Sequence, residues 1–313
     1  MNTFQEIQDI LNDDLIVFKT GEIIKGSYIK TALKTEISIK KGNKLRGLIY
    51  KKTKENSFKK ASSLLGGKFY SLHYTNIINL PLNQPNLNTA FTFRLIYLCS
   101  YLNYDNILVT DNLKRSKTKY INEKDLGDIL KLSKKQIQDF KKICFANNIL
   151  EKISIYGVSA IKVNINIACL GTIPNSYKRN SIRISIPHIQ SVYHMSSARE
   201  HKQLGYLIPL LPYIHYEFSI LANNPNEQYE EYIQPLSLQD ICKILNYSRT
   251  NSGKLLTLLR KFTLNNRSLF LTGIYKNKKI FFLNPELFLK SSTPTSLKHT
   301  LNLLKLSETY EDK

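Results

Sequence analysis

Apolar and polar positions alternate along residues 14–50, in stretches such as LIVFKTGEIIKGSYI and EISIKKGNKLRGLIY. A period of two is typical of β-strands, and Gly42-Asn43 supplies turn residues between two arms. Gly66-Gly67 and a segment with two prolines, LPLNQPNLN, interrupt the pattern before the next apolar segment. We therefore predict a small β-rich N-terminal region over residues 1–85.

Two later segments repeat the same pattern of residues. LIYLCSYLNYDNIL begins at Leu95 and matches LIPLLPYIHYEFSIL, which begins at Leu207, with an offset of 112 residues. KDLGDILKLSKK begins at Lys124 and matches QDICKILNYSRT, which begins at Gln239, with an offset of 115 residues. Because both matches occur in the same order with similar offsets, they indicate a duplicated unit of about 90–110 residues.

Helical periodicity is present within each copy. In the first copy, apolar residues from Phe91 onward recur with a period of 3.6, which predicts a helix over residues 89–102. Asn122 is a suitable N-cap for a short second helix, EKDLGDIL, and Lys131-Leu132 ends that helix. Ser133 is an N-cap candidate for a third helix, KKQIQDFKKICFANN. The pattern thus predicts two short helices joined by a tight turn.

The helix after this turn has one apolar and one polar face. In the predicted helix Ser133–Asn147, the apolar side carries Phe140 and Cys144, and in the corresponding helix Ser248–Asn265 it carries Leu255. The opposite sides carry residue types that hydrogen-bond base edges and phosphates. The residues predicted to contact DNA are Ser133, Lys134, Lys135, Gln138 and Lys142 in the first copy and Ser248, Arg249, Thr250, Asn251 and Lys254 in the second.

A pair of strands is predicted after each of these helices. ILEKISIYGVSAIKVNINI contains two alternating strands about Gly157, and SLFLTGIYKNKKIFFLN contains two strands about a basic turn. A helix-turn-helix followed by a two-stranded hairpin is the layout of a winged helix. The second hairpin is predicted to contact phosphates or the minor groove through Lys276, Lys278 and Lys279.

The predicted fold class is α+β, with two tandem winged helix-turn-helix domains preceded by the small β-rich region. The predicted boundaries place the first winged helix at residues 86–175, the second at residues 176–292, and a C-terminal helix or tail at residues 293–313. Leucines of this tail, such as Leu297 and Leu301, are partly in helical phase. Two roles are open for the tail, which are packing on the second hairpin and joining another subunit in a homodimer, and packing is favoured.

The charge indicates the class of partner. The chain of 313 residues has 45 Lys or Arg and 24 Asp or Glu, which gives a formal net charge of +21. A positive field of this size favours polyanions, which means nucleic acid or an anionic membrane face. Much of the charge falls on the two predicted DNA-contacting helices and the second hairpin, which favours duplex DNA over a membrane. The basic run Lys51–Lys60 has no assigned role.

Several other classes of protein are disfavoured. No stretch approaches the roughly 18 consecutive apolar residues of a membrane-spanning helix, and the acidic start MNTFQEIQDILNDD does not predict a signal peptide, so we expect a cytoplasmic protein. The four cysteines form no CxxC pair, which argues against a disulfide framework and a zinc site. Because the sequence also contains neither an HxH pair nor a GxxxxGK[ST] loop, we predict a protein that is not an enzyme and uses no metal or cofactor.

The tandem arrangement also resembles a known family. An LxxILxxS-like motif precedes each basic helix, and the second hairpin ends in (I/F)xxNPxxFxK, here with Phe281, Asn284, Pro285, Phe288 and Lys290. Over about residues 90–292 this pattern resembles replication initiator (Rep) proteins and related winged-helix regulators of plasmids and phages of low-GC Gram-positive bacteria. The resemblance implies binding to repeated double-stranded DNA sites at an origin or operator and, for initiators, recruitment of host replication proteins.

These observations lead to one expected function and two alternatives. We expect a sequence-specific double-stranded DNA-binding protein whose role is replication initiation. The first alternative is a DNA-binding transcriptional regulator. The second is an interaction protein whose winged helices dock on an acidic protein surface rather than on DNA.

Overall fold

The computed structural model of the chain describes residues 16–17, 23–24, 26–83, 89–110, 119–275, 278–291 and 293–311. The chain forms two compact units, Met1–Asn56 and Ser57–Lys313. Helices and small antiparallel sheets are both present, so the predicted α+β class is confirmed. None of the helices in these described ranges has the length and apolar character needed to cross a membrane.

The described part of the first unit contains two short strands and most of a long helix. Strands β1 (Ile16–Val17) and β2 (Ile23–Ile24) pair in antiparallel fashion. Helix α1 (Gly26–Leu64) has 39 residues, of which those from Ser57 onward belong to the second unit. The predicted β-rich N-terminal region is therefore wrong over residues 26–64.

Helix α1 forms because its sequence favours a helix and nothing selects a strand. Residues 26–64 contain no proline, and ten of these 39 residues are lysines, which are good helix formers. The alternating apolar residues Ile37 and Ile39 are 42% and 56% exposed. Burial of one face, which would stabilise a strand with alternating residues, is therefore missing at these positions. Gly42, which indicated a turn, lies within the helix, where a glycine costs about 1 kcal/mol.

The second unit contains two series of elements. The first series is β3 (Phe69–His73), α2 (Tyr74–Asn83), α3 (Thr89–Cys99), α4 (Leu126–Leu130), α5 (Lys134–Ala146), β4 (Leu150–Ile155), β5 (Val158–Val163) and β6 (Ala168–Cys169). The second series is β7 (Ser181–Ser185), α6 (Ile186–Met195), α7 (His201–Leu204), α8 (Leu238–Ile244), α9 (Ser252–Arg260), β8 (Thr263–Leu264), β9 (Arg267–Ser268), β10 (Phe270–Tyr275), β11 (Lys278–Leu283) and β12 (Phe288–Leu289). Helix α10 (Pro294–Glu311) follows them.

A four-stranded antiparallel sheet joins the two series, with the strand order β12-β7-β3-β6. The two central strands pair about Ser71, which lies opposite Arg183. These residues are equivalent under the offset of 112, so the pair lies on an approximate twofold axis. The outer strands follow the same symmetry, because Ser71 also pairs with Cys169 of β6 and Arg183 also pairs with Leu289 of β12.

Backbone hydrogen bonds and dihedral angles repeat as well. The Leu108 N–H donates to the Ile161 carbonyl at 2.9 Å, and the Leu221 N–H donates to the Phe281 carbonyl at 2.8 Å. These bonds tie one segment of each series to the second strand of its hairpin. Left-handed residues also occur at matching places, namely Asn106 and Ser219, Lys131 and Asn246, and Asn148 and Asn266. The structure therefore contains the duplication that the sequence predicts.

The two copies do not form separate domains. One hydrophobic core contains residues of both, including Leu95 and its counterpart Leu207. Residues 57–85 belong to the same compact unit, so the predicted boundary at residue 86 is wrong. Strand β3 pairs with β6 and β7, which lie about a hundred residues further along the chain, and a local pattern contains no signal for such pairing.

Helix α10 packs on the second hairpin. Its Leu303 and Leu304 form a small apolar cluster with Leu271 of β10 and with Ile280 and Phe282 of β11. Of the two roles that the sequence left open for the C-terminal tail, packing on the hairpin is confirmed.

His73, at the end of β3, is a buried histidine whose charged form is disfavoured. Its side chain is 1% exposed, and neither ring nitrogen has a hydrogen-bond partner in the described part of the chain. The ring stacks on Tyr177 with a centroid distance of 4.5 Å. Burial lowers the pKa of His73 to about 4, so the folded protein keeps this ring neutral at physiological pH.

We expect the free energy of unfolding to decrease as the pH falls from about 6.5 to about 4. In this range His73 takes up a proton in the unfolded chain but not in the folded one, which costs up to about 3 kcal/mol. Urea unfolding at several pH values should show a flatter dependence for His73→Phe, which keeps a ring beside Tyr177 but cannot ionise. His201, whose pKa burial also lowers to about 4, leaves a residual dependence. Equal losses in both proteins would contradict this assignment.

Candidate nucleic-acid interface

The turn between α4 and α5 is built from local sequence signals. Lys131, with φ +48°, ends α4, and Ser133 caps α5. The Gln136 N–H donates to the Ser133 hydroxyl at 3.4 Å, and the Ser133 N–H donates to the Gln136 side chain at 3.2 Å, which forms a capping box. The predicted N-cap at Ser133 is thus confirmed. Helix α4 begins at Leu126, three residues later than predicted, because the segment from Asn122 to Asp125 forms a turn.

Helix α5 separates a buried face from a cationic one. Phe140 and Cys144 are 3% and 0% exposed, as the sequence predicts. Four polar residues on the other side of the helix are exposed. At 3.6 residues per turn, their positions fall within an arc of about 100° around the helix axis. The exposed residues are Lys134, Lys135, Gln138 and Lys142, whereas Ser133 is an exposed N-cap residue that precedes the helix and lies outside this arc.

In the second copy the helix is shorter than predicted. Helix α9 spans Ser252–Arg260, and a 3₁₀ turn, Arg249–Asn251, precedes it. Thr250, Asn251 and Gly253 are weak helix formers, which accounts for the late start. The Ser248 hydroxyl pairs with the Thr250 hydroxyl at 2.7 Å instead of capping the helix. The predicted helix Ser248–Asn265 is therefore wrong at both ends.

The predicted residues of the second copy nevertheless share an exposed surface. Ser248, Arg249, Thr250 and Lys254 are exposed, and Asn251 is half-buried. Leu255 and Leu259 are buried on the opposite side of α9, at 0% and 1% exposure. The structure thus repeats the arrangement of a buried apolar face and an exposed polar face.

Both predicted hairpins are present. Strands β4 and β5 pair through the whole length of the first hairpin, and β10 and β11 form the second. Lys278 and Lys279 are exposed on β11, whereas Lys276 lies outside the described residues. The tips differ between the copies, because the first hairpin has Tyr156-Gly157 where the second has a lysine-rich sequence.

The cations of these faces are available to a ligand. Within the described residues, none of them lies within 4.0 Å of a carboxylate, whereas neighbouring cations do. Lys141 pairs with Glu123 at 3.0 Å, and Lys261 pairs with Glu200 at 2.6 Å. This Lys261 contact, with the Ser197 backbone and hydroxyl, lowers the pKa of Glu200 to about 2. None of these described cations is therefore engaged in a direct ion pair.

A groove beside α5 brings in two cations that the sequence did not indicate. It has a volume of about 990 Å³, and its lining includes Lys142 of α5 together with Arg199 and Lys202. Asp139 also lines it, so the groove is not uniformly positive. Arg199 and Lys202 lie near α5 only because α7 packs on α3, which no local sequence signal shows.

The loop that carries Arg199 is held by a buried arginine. Arg94 of α3 donates from Nε to Nδ1 of His201 at 3.3 Å and from a terminal nitrogen to the Ala198 carbonyl at 3.3 Å. These bonds fix both ends of the short segment that contains Arg199. Arg94 thus positions one wall of the groove.

Helix α1 contains a large share of the positive charge. Residues 26–64 include eleven Lys or Arg and two Glu, so this helix has a formal charge of +9 out of the total of +21. Its basic side chains from Lys34 to Lys60 are exposed. The unassigned run Lys51–Lys60 therefore lies on a cationic helix.

The described residues contain neither a candidate metal site nor an exposed thiol. No three of their His, Cys, Asp and Glu side chains are grouped so as to hold a metal ion. The cysteines Cys99, Cys144, Cys169 and Cys242 are buried, and burial raises the pKa of each thiol. These cysteines serve as apolar core residues.

We compared the chain with protein-family models, with curated proteins and with solved structures, and no match was found. The resemblance to replication initiators thus stays a prediction.

Proposed function

We propose that each copy is a winged helix and that the protein binds double-stranded DNA through both copies. The observation that supports this proposal is the repeated order of two helices, a hairpin and a strand, with exposed, unpaired cations on α5 in the first copy and on the Arg249 turn and α9 in the second. An α-helix fits the major groove, which is about 12 Å wide, and lysine and arginine there contact phosphates and guanine edges. The hairpins then serve as wings that contact the DNA backbone.

The two copies offer different side chains to the DNA. Under the offset of 115 residues, Lys134 corresponds to Arg249, Lys135 to Thr250 and Gln138 to Gly253. The approximate twofold axis favours a site with two inverted half-sites, and the different side chains favour half-sites of different sequence. Two modules on one chain also raise the effective concentration for the second contact.

The role that we propose first is initiation of replication at a plasmid or phage origin. The family resemblance supports it, and host replication proteins are the partners that this role requires. Transcriptional regulation is the second candidate. Footprinting on the surrounding DNA distinguishes the two roles, because several repeated sites at an origin favour initiation and a single operator upstream of a gene favours regulation.

Binding to a random pool of duplexes tests DNA recognition itself. After rounds of selection, fluorescence anisotropy should show preferred binding to selected duplexes at physiological salt. If the two copies make 6–10 phosphate contacts, affinity should fall by about 10³–10⁵ between 50 and 200 mM salt. Failure to bind any duplex would reject the proposal and favour docking on an acidic protein surface.

Helix α1 should contribute affinity without specificity. Replacing Lys51, Lys52 and Lys54 with glutamine removes three exposed charges from the helix and should weaken binding to selected and random duplexes by the same factor. The ratio of the two affinities, measured by anisotropy at several salt concentrations, should stay constant while the salt dependence becomes shallower. A changed ratio would show that α1 takes part in sequence recognition.

A further inference from the structure

The tip of the first hairpin presents one aromatic side chain to solvent. Ile155 pairs with Val158, so Tyr156 and Gly157 form a two-residue loop. Both have positive φ, +49° and +80°, which is the feature of a type I′ turn. Tyr156 is fully exposed, at 101% of its reference area. Because glycine has no side chain, the tyrosine ring projects from the tip alone.

Tyrosine is an unfavourable residue for this backbone conformation. Five of the eight non-glycine residues with positive φ in the described ranges are asparagines, which tolerate the left-handed region well. Tyr156 is the aromatic member of that set, and a bulky side chain there is strained. An asparagine would fit the turn better, so the presence of a ring at this exposed and strained position points to a role for the ring itself.

The surroundings of the tip suit a nucleic acid. The part of the hairpin between Lys152 and Lys162 contains no carboxylate, whereas at the base Lys152 pairs with Glu123 and Glu151 lies opposite Lys162. Each strand of the hairpin has six residues. The tip therefore lies about 20 Å from the base of the hairpin. Next to the ring, Val158 is 53% exposed and adds apolar surface. Such a tip is narrow, apolar and without negative charge.

We propose that the Tyr156 ring stacks on a nucleobase, entering a base step of the duplex from the groove that the first hairpin contacts. This inference rests on the proposed DNA binding and adds a ligand surface to it, the face of a base. Aromatic rings stack on bases of any sequence, and apolar side chains inserted at a step unstack and bend the duplex. The first wing thus opens one step, while the lysine-rich second wing contacts phosphates.

A tryptophan at this position reports the contact directly. The chain contains no tryptophan, so Tyr156→Trp places the only tryptophan of the protein at the tip, where its emission can be excited selectively. We expect its emission to be quenched by saturating selected duplex and its exposure to iodide to fall. The matched control is Tyr104→Trp, at a 79% exposed loop position beside the base of the first hairpin and away from its tip, and its emission should change much less than that of Tyr156→Trp.

Two further variants separate stacking from folding. Tyr156→Phe keeps the ring and should bind within about twofold of the unsubstituted protein. Tyr156→Asn suits the turn and should unfold at the same or a higher urea concentration, yet bind selected duplex about 5- to 150-fold more weakly, the range for one base stack. Duplexes with 2-aminopurine at successive positions should brighten at one step with Tyr156→Phe but not with Tyr156→Asn.

The outcomes distinguish this inference from the proposed function. The stacking inference is overturned, while DNA binding stands, if two results are found together. These are that Tyr156→Asn binds duplex as tightly as the unsubstituted protein and that the emission of Tyr156→Trp does not change when duplex binds. If no protein binds any duplex, both are overturned.

Discussion

Gly205→Ala is expected to lower the unfolding temperature of the second unit by roughly 6–12 °C. A methyl group at Gly205 would lie within 3.0 Å of the carbonyl oxygen, carbonyl carbon and Cβ of Thr89. Here the end of α7 meets the start of α3, where the Thr89 hydroxyl donates to the Lys202 carbonyl at 2.6 Å. Because backbone rather than a flexible side chain blocks the methyl group, we expect a cost of about 3 kcal/mol. Each kcal/mol shifts the unfolding temperature of a domain this large by about 2–4 °C.

Gly253→Ala is the matched control. Gly253 lies in α9 with nothing within 4 Å of the position of an added methyl group. Alanine is the better helix former, so this variant should be as stable as the unsubstituted protein or more stable by up to about 1 kcal/mol. Calorimetry or thermal circular dichroism measures both variants. Similar unfolding temperatures for the two would contradict the close packing of α3 and α7.

The second large effect is expected in DNA binding. Lys134→Ala removes an exposed, unpaired cation from α5 and Arg249→Ala removes one from the turn before α9, and each should weaken binding to selected duplex by about 1–3 kcal/mol. The two residues lie on different copies, so the double variant should combine the losses and bind about 30- to 3 × 10⁴-fold more weakly. Fluorescence anisotropy with selected and random duplexes measures the change.

Lys54→Ala controls for the general loss of charge. Lys54 is an exposed lysine of α1, and its removal changes the net charge as much as either single variant. We expect it to cost less than Lys134→Ala or Arg249→Ala and to leave the preference for selected duplex unchanged. Equal and small effects for all three variants would show that α5 and the Arg249 turn do not contact DNA.

Local signals predicted the parts of the second unit that depend on local chemistry. Ser133 and Gln136 form a capping box with the right spacing, and Gly157 marks the turn of a hairpin, so these elements were predictable. Strands β3 and β7 were not, because their partners lie far away in the chain. In the second copy, Pro209 and Pro212 disfavour an α-helix. The segment Gly205–Tyr213 therefore forms a 3₁₀ helix, where the first copy has α3.

Only part of the candidate interface could be predicted, because local sequence signals show helix faces but not tertiary packing. Its residues on α5 and around Arg249 follow from helical faces, which a sequence shows directly. Arg199 and Lys202 reach the groove beside α5 through tertiary packing, which a sequence does not show. The sequence of α1 predicts strands because its apolar residues alternate over a few positions. These residues are exposed in the structure, so the helix propensity of the lysine-rich segment outweighs that pattern.

Hydroxyl-radical footprinting on a selected duplex tests the central claim, that both copies contact DNA. We expect two protected segments at one site, with Lys134→Ala weakening protection of one segment and Arg249→Ala weakening protection of the other. A single protected segment that is weakened equally by both variants, or a site unaffected by either, would contradict this claim.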